Sequence, residues 1–290
     1  MKLHRYPDAE AAAEACATHI LERLRAGGAT FAISGGSSPR RMFEIFGAAQ
    51  LNWSKVHVFW VDERVVPPTD PQSNYKLAFD TWLGPANFPP ANIHRVQTEL
   101  GPQEAARRYE EEIRRHFALK PGELPRFDLV HRGMGPDGHT ASLFPGEPLI
   151  ADTSGIAAAV WAEKMKQWRV TLLKGVLESA RNTVMLVTGS DKAAVLREVL
   201  EGEYRPSQYP AQIASRVENC DWFLDASAAA QARWPPEPAK ATGPFSPARQ
   251  GGVMLDCLSH PRRAPCVPRS SSSSCPRPSP KPPPFNPSAP

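Results

Sequence analysis

Gly133-Met134-Gly135-Pro136-Asp137-Gly138-His139-Thr140-Ala141-Ser142-Leu143-Phe144-Pro145-Gly146 follows an apolar run, residues 127–130, that reads as a β-strand. A glycine-rich loop leaving a strand lets backbone approach a ligand closely. Within this loop Asp137 and His139 place a carboxylate and an imidazole two residues apart. An imidazole takes or gives a proton near neutral pH, which is the equipment of a hydrolase or an isomerase. Asp137 reads either as the group that orients the ring or as a cap on a helix starting near Thr140.

The sequence around the loop alternates between helix and strand signals. Residues 8–25 are Ala-rich and helical, and Gly27-Gly28 stops them. Residues 30–33 read as a short strand, after which Ser38 is expected as an N-cap with Pro39 at the first helical position. Further strands are expected at 56–61, 93–96, 156–160, 169–173, 183–187 and 222–224. Helices are expected at 74–83, 103–117, 176–181 and 191–200. Continuous apolar strands alternating with helices predict an α/β fold, a mostly parallel sheet with helices on both faces. Residues 1–234 form that domain.

Residues 235–290 differ in kind. They hold 16 of the 32 prolines and the serine run 270–274, and such a segment buries too little apolar surface to offset its ordering entropy. It reads as a disordered tail with local polyproline II. The tail also carries 7 of the 34 Lys+Arg but 2 of the 30 Asp+Glu, leaving 27 against 28 in residues 1–234, a balance of −1. The body therefore has no overall field to recruit nucleic acid or a membrane surface. No apolar run is long enough to cross a bilayer, and the N-terminus shows no secretory segment, so a cytoplasmic protein is expected. Cys16 and Cys220 are the two cysteines of the body, far apart in sequence, and free thiols are expected.

Three other strand ends carry chemistry. Ser34-Gly35-Gly36-Ser37-Ser38-Pro39 joins a strand to a helix, and reads either as a phosphate cradle or as an ordinary βα turn. Asp62-Glu63-Arg64 directly follows the strand at 56–61, where ligands gather in open α/β sheets. Arg64 can clamp a phosphate and Asp62 can hold hydroxyls, the alternative being a solvated charged turn. Lys192, in Thr188-Gly189-Ser190-Asp191-Lys192, sits unfavourably at a helix start unless an anion is nearby, and Arg169 begins another strand that can reach the same edge.

Taken together, Ser34 to Pro39, Val61 to Arg64, Ser73-Asn74-Tyr75, Gly133 to Gly146, Arg169 to Leu172 and Thr188 to Lys192 resemble the 6-phosphogluconolactonases of the glucosamine-6-phosphate isomerase/6-phosphogluconolactonase family. The segments occur in the family's order across roughly residues 1–232. The resemblance implies hydrolysis of 6-phospho-D-glucono-1,5-lactone to 6-phospho-D-gluconate in the oxidative pentose phosphate pathway, with no metal and no organic cofactor. It implies the α/β fold shared with glucosamine-6-phosphate deaminase and a sugar-phosphate lactone as partner; the sequence does not give the oligomeric state, and a monomer is favoured. His139 falls on the acid/base histidine, with Asp137 beside it, and Arg64 and Lys192 fall on the phosphate-binding basic residues, with Arg169 expected nearby and counted in the same substrate-binding set. Ser34, Gly35, Gly36, Ser37, Asp62, Asn74 and Gly138 complete the substrate-binding set, and N–H groups of the 133–138 loop are expected to hold the developing oxyanion. Two rivals follow from departures and relatives. His131-Arg132 interrupts an otherwise apolar strand and suggests an impaired sugar-phosphate-binding or scaffold protein. A deaminase of the same fold is the other, but Ser142-Leu143-Phe144-Pro145 lacks the carboxylate such enzymes carry there.

Overall fold

Runs such as Thr183–Val187 (TVMLV) are buried along their whole length, as strands covered on both faces must be. The computed structural model describes residues 1–233 apart from 26, 28, 216 and 218. In chain order the elements are β1 (Lys2–Tyr6), α1 (Ala9–Arg25), β2 (Ala29–Ile33), α2 (Arg40–Ala48), β3 (Val56–Trp60), β4 (Asp62–Arg64), α3 (Asn74–Ala78), β5 (Ile93–His94) and α4 (Pro102–His116). They continue with β6 (Leu129–Arg132), β7 (Ala157–Ala162), β8 (Gln167–Leu172), α5 (Lys174–Ser179), β9 (Thr183–Val187), α6 (Ala193–Glu201), α7 (Gln212–Ser215) and β10 (Cys220–Asp225). The expected tail, 235–290, lies outside the described residues.

Seven strands pair in the order β1-β10-β9-β6-β2-β3-β5, every pair parallel. This is the expected sheet. From β2 the chain adds strands outward through β3 to β5, and from β6 it adds them the other way through β9 to β10. The neighbours β2 and β6 therefore flank a topological switch point, where the loops leaving their carboxyl ends diverge and open a crevice. Those two loops are the Ser34–Pro39 and Gly133–Gly146 segments.

Helix packing follows the apolar stripes. α1 buries Ala12, Ala13, Cys16, Ala17, Ile20, Leu21 and Leu24, a 3.6-residue repeat, and the Asp8 carboxylate accepts the Ala11 N–H at 2.8 Å to close its first turn. α4 buries Ala105, Ala106, Tyr109 and Ile113, and the Tyr109 hydroxyl both accepts from the Trp60 N–H and donates to the Trp60 carbonyl at 2.7 Å. That pair of bonds ties α4 to the carboxyl end of β3. Cys16 and Cys220 are both buried free thiols, as expected.

The structure departs from the sequence reading in four places. β4, β8 and β7 form a separate three-stranded antiparallel sheet, so the expected strands near 156–160 and 169–173 make a hairpin outside the parallel sheet. Ala157, Ala158 and Ala159 are all half-buried, unlike the fully buried parallel strands, and a run rich in alanine does not advertise this. β6 runs two residues later than its apolar signal, because His131 and Arg132 keep pairing with Val184 and Met185 of β9. Ser38 does not cap α2. Pro39 occupies the N-cap and the Ser38 hydroxyl meets that of Thr188 at 3.2 Å instead. No helix starts at Thr140, which forms a tight bridge with Leu143.

Candidate active site

The crevice at the switch point is a cavity of about 280 Å³. Ser34, Gly35, Gly36, Ser37, Asp62, Arg64, Asn74, His139, Arg169 and Lys192 all line it, brought together from six separate segments. Asp137 and Gly138 do not line it.

His139 is held from two sides. Its Nδ1 lies 2.6 Å from Asp137 Oδ1, and its ring packs 4.8 Å from that of Phe144. The second Asp137 oxygen accepts from Lys164 Nζ at 2.9 Å, out of the turn between β7 and β8. Burial opposes ionisation of Asp137, but the bonds from His139 and Lys164 outweigh it and hold the carboxyl well below the usual carboxylate range. A carboxylate on Nδ1 sets the tautomer and leaves Nε2 as the working nitrogen. Asp137 therefore contacts the His139 ring, and no helix begins at Thr140 for it to cap.

Glycine makes this placement possible. A Cβ at Gly135 would sit 2.1 Å from His139 Cε1 and 2.2 Å from Nδ1. One at Gly35 would sit 2.1 Å from Asn74 Oδ1. Both are close approaches that no side chain allows. Gly138 is placed differently from expectation. It packs against Val195 and Tyr209, and its carbonyl accepts from the Ala211 N–H at 2.8 Å. The N–H groups of Gly135 and Gly138 are also used within the loop, bonding the His139 and Gly135 carbonyls at 2.9 and 3.0 Å. The N–H groups of these two glycines are therefore not free to hold an oxyanion, although Gly133 and Met134 of the same loop also line the cavity.

Asp62 ties the two loops together. It takes the Ser34 hydroxyl at 3.3 Å and the Ser142 hydroxyl at 2.8 Å. Asn74 in turn donates to the Asp62 carbonyl at 2.8 Å. Behind this pair stands Glu63, which sequence reasoning did not single out. Its carboxylate accepts the N–H groups of Arg64, Asn74 and Tyr75 at 2.7, 2.8 and 2.7 Å, holding the first turn of α3 against β4. Burial pushes Glu63 up to about 7, against those three donors, which favour the charged form. No sequence signal separates it from Asp62, which lies on the opposite face of the same three-residue strand and is buried as well.

The basic end of the cavity is unusual. Arg64 and Arg169 face each other across the β4–β8 ladder. Arg64 donates to the Gln72 carbonyl, yet the Nε of each arginine is buried with no partner among the described residues. Neither guanidinium forms an ion pair among those residues. Arg169 is 8% exposed, and burial pushes it down to about 10, the Arg64 charge adding to the effect against Asp62 and Glu63. Two adjacent guanidiniums without carboxylates are costly to bury unless an anion joins them. Lys192 adds a third charge from the loop after β9, its Nζ donating to the Thr188 carbonyl at 2.8 Å.

His131 and Arg132 are both buried, at 1% and 0% exposure, and no side-chain nitrogen of either has a partner among the described residues. His131 lines the floor of the cavity, and Arg132, the next residue on the strand, does not. The loop above them is nonetheless in order, with the Thr140 hydroxyl donating to the Gly133 carbonyl at 2.9 Å.

This arrangement of loops on a parallel sheet matches known proteins. The family model described as glucosamine-6-phosphate isomerases/6-phosphogluconolactonase matches residues 7–222. The chain belongs to this family. The 6-phosphogluconolactonase of a Synechocystis strain is 39% identical over 203 residues, 70% of this chain and 84% of that protein. The 6-phosphogluconolactonase of Haemophilus influenzae is 37% identical over 205 residues, covering 68% and 84%. Among solved structures, the 6-phosphogluconolactonase of Trypanosoma brucei superposes with a TM-score of 0.70 at 26% identity, covering 79% of this chain and 97% of that one. Within the 6-phosphogluconolactonase and isomerase family frame, no helix among the described residues is long and apolar enough to cross a membrane.

Proposed function

We propose that this chain hydrolyses 6-phospho-D-glucono-1,5-lactone to 6-phospho-D-gluconate, the lactonase step of the oxidative pentose phosphate pathway. One observation carries the reading. A histidine backed by a carboxylate and two guanidiniums without carboxylate partners line the same cavity. That is the equipment for a substrate with a phosphate at one end and a proton-transfer reaction at the other.

The phosphate sits between Arg64 and Arg169, with Lys192 as the third cation. Its binding energy, remote from the reacting carbon, orients the ring. Nε2 of neutral His139 takes a proton from a water as the water oxygen bonds to the lactone carbonyl carbon. Asp137 stabilises the imidazolium so formed. When the tetrahedral intermediate collapses, the bond from that carbon to the ring oxygen breaks, and His139 returns its proton to the departing oxygen. With the Gly135 and Gly138 N–H groups used internally, the backbone of Gly35 and Gly36 is one face of the cavity available to the oxyanion. Asp62, held by Ser34 and Ser142, and Asn74 keep that loop in place. The monomeric, cytoplasmic form expected from the sequence belongs to the same proposal.

The discriminating experiment offers the full chain two substrates, freshly prepared 6-phosphogluconolactone and glucosamine 6-phosphate. Lactone hydrolysis above the spontaneous rate without ammonia release is expected. Ammonia release would favour the deaminase, and silence with both would favour a binding protein disabled around His131 and Arg132.

A further inference from the structure

Away from the cavity, three histidines that share no sequence spacing converge. His57 lies on β3 and His94 on β5, the edge strand beside it. His57 and Phe59 share a face, and the His94 ring stacks on Phe59 at 4.2 Å and 6°. α4 covers that face and brings His116 in its last turn, with Glu112 one turn earlier. The His57–His94, His57–His116 and His94–His116 ring centroids are 5.2, 4.6 and 4.8 Å apart. One ring nitrogen from each lies within 4.8 Å of the others. His94 is buried, while His57 and His116 are half-buried and leave an entry path. None of them lines the cavity described above.

We propose that His57, His94 and His116 bind a divalent transition-metal ion, zinc foremost, that staples the edge of the sheet to α4. Three imidazole nitrogens form a known zinc ligand set, with a fourth position left for water or carboxylate. Tetrahedral zinc holds its nitrogens at about 2.0–2.1 Å, hence about 3.3 Å from one another. The widest separation here must close by up to about 1.5 Å, within reach of small χ changes at a helix end.

The protonation pattern suits a metal. His94 Nδ1 lies 2.8 Å from Glu112 Oε1, the carboxylate–histidine contact that orients zinc-bound imidazoles. It leaves His94 Nε2 as a lone pair pointing at His57 Nδ1, 2.9 Å away, with one proton between them. The ion takes that proton's place, and His57 moves its own proton to Nε2 through solvent. Arg115 is the nearest cation, and it is ion-paired to Glu112.

The test titrates zinc chloride into the chelator-treated full chain and into His116→Gln, following Tm and zinc bound at equilibrium. The three tail cysteines and His260 are present in both chains, so the difference isolates the trio. In the native chain, zinc at 100-fold over its Kd is expected to raise Tm by about 5–10 °C. His116→Gln should lose that rise, and Glu112→Gln should weaken binding about 10–100-fold. Lactone hydrolysis should stay the same with and without zinc. No Tm rise in the native chain, or an equal rise in His116→Gln, would overturn the site and leave a hydrogen-bonded histidine cluster. If His116→Gln does not fold, cobalt(II) on the native chain decides. Tetrahedral d–d bands without a thiolate-to-cobalt charge-transfer band support the trio, and an octahedral aqua spectrum or a thiolate-ligated one rejects it.

Discussion

Replacing Arg132 with methionine should stabilise this protein. Arg132 is fully buried on β6 with three side-chain nitrogens unpartnered among the described residues. Burial pushes its guanidinium down from 12.5 to about 10, and the influence of Cys220 and Glu178 offsets only part of this. At 1.36 kcal/mol per unit, keeping the charge inside at neutral pH costs about 3 kcal/mol. Methionine has a similar length and no charge, so it fills the space and removes the penalty. For a body of this size the gain corresponds to a Tm rise of about 6–12 °C. Urea unfolding should show a higher midpoint with an unchanged slope. Lactonase kcat/KM should stay within about twofold, because Arg132 points away from the cavity. A lower Tm would refute the reasoning, since it would mean that the charge has a partner that removal exposes. A large loss of activity with the fold intact would refute the separation of Arg132 from the site.

Three other outcomes follow from the geometry. Gly135→Ala drives a Cβ into the His139 ring, which must move by about 1 Å, and kcat should fall about 100-fold with the circular dichroism unchanged. Arg169→Met removes a charge-assisted contact to phosphate, so kcat/KM should fall about 10–150-fold, mostly through KM. The same change should raise Tm without substrate, because it removes one of two facing guanidiniums. His131, pushed down to about 3 by burial, titrates near 6.5 when unfolded. Below pH 6.5 the unfolded chain takes up a proton that the folded one refuses. Its contribution is therefore full above pH 6.5 and is lost as pH falls toward 3, at about 1.4 kcal/mol per unit. His131→Leu should flatten the acid side of the stability profile, measured by urea unfolding between pH 4.5 and 7.

The parallel sheet was legible because its strands announce themselves: in Thr183–Val187 the four residues after the threonine are all apolar, and such a run is covered on both faces. The lining of the candidate cavity was legible at its loops, where Gly135 and Gly138 sit beside Asp137 and His139. What the sequence hid was pairing. Nothing in Ala157–Ala162 says that it turns back on β8 instead of joining the main sheet, because alanine carries almost no strand preference. The role of Glu63 was hidden for a related reason. Its value lies in the backbone N–H of the neighbouring Arg64 and in those of Asn74 and Tyr75, which arrive from the start of α3, and side-chain chemistry alone does not show them. Gly138 misled in the opposite direction, since a loop glycine that packs against Tyr209 looks in sequence like one that makes room for a ligand. The histidine trio was invisible, being assembled from β3, β5 and α4 with no common spacing.

The most direct test of the central claim is the rate of 6-phosphogluconolactone hydrolysis by the full chain and by His139→Ala, followed by proton release near neutral pH against the spontaneous rate. Acceleration by the native chain that falls by at least about 100-fold in a folded His139→Ala is expected. Full turnover in His139→Ala would contradict the assignment of the proton-transfer step to this histidine, and with it the reading of the cavity as its active site.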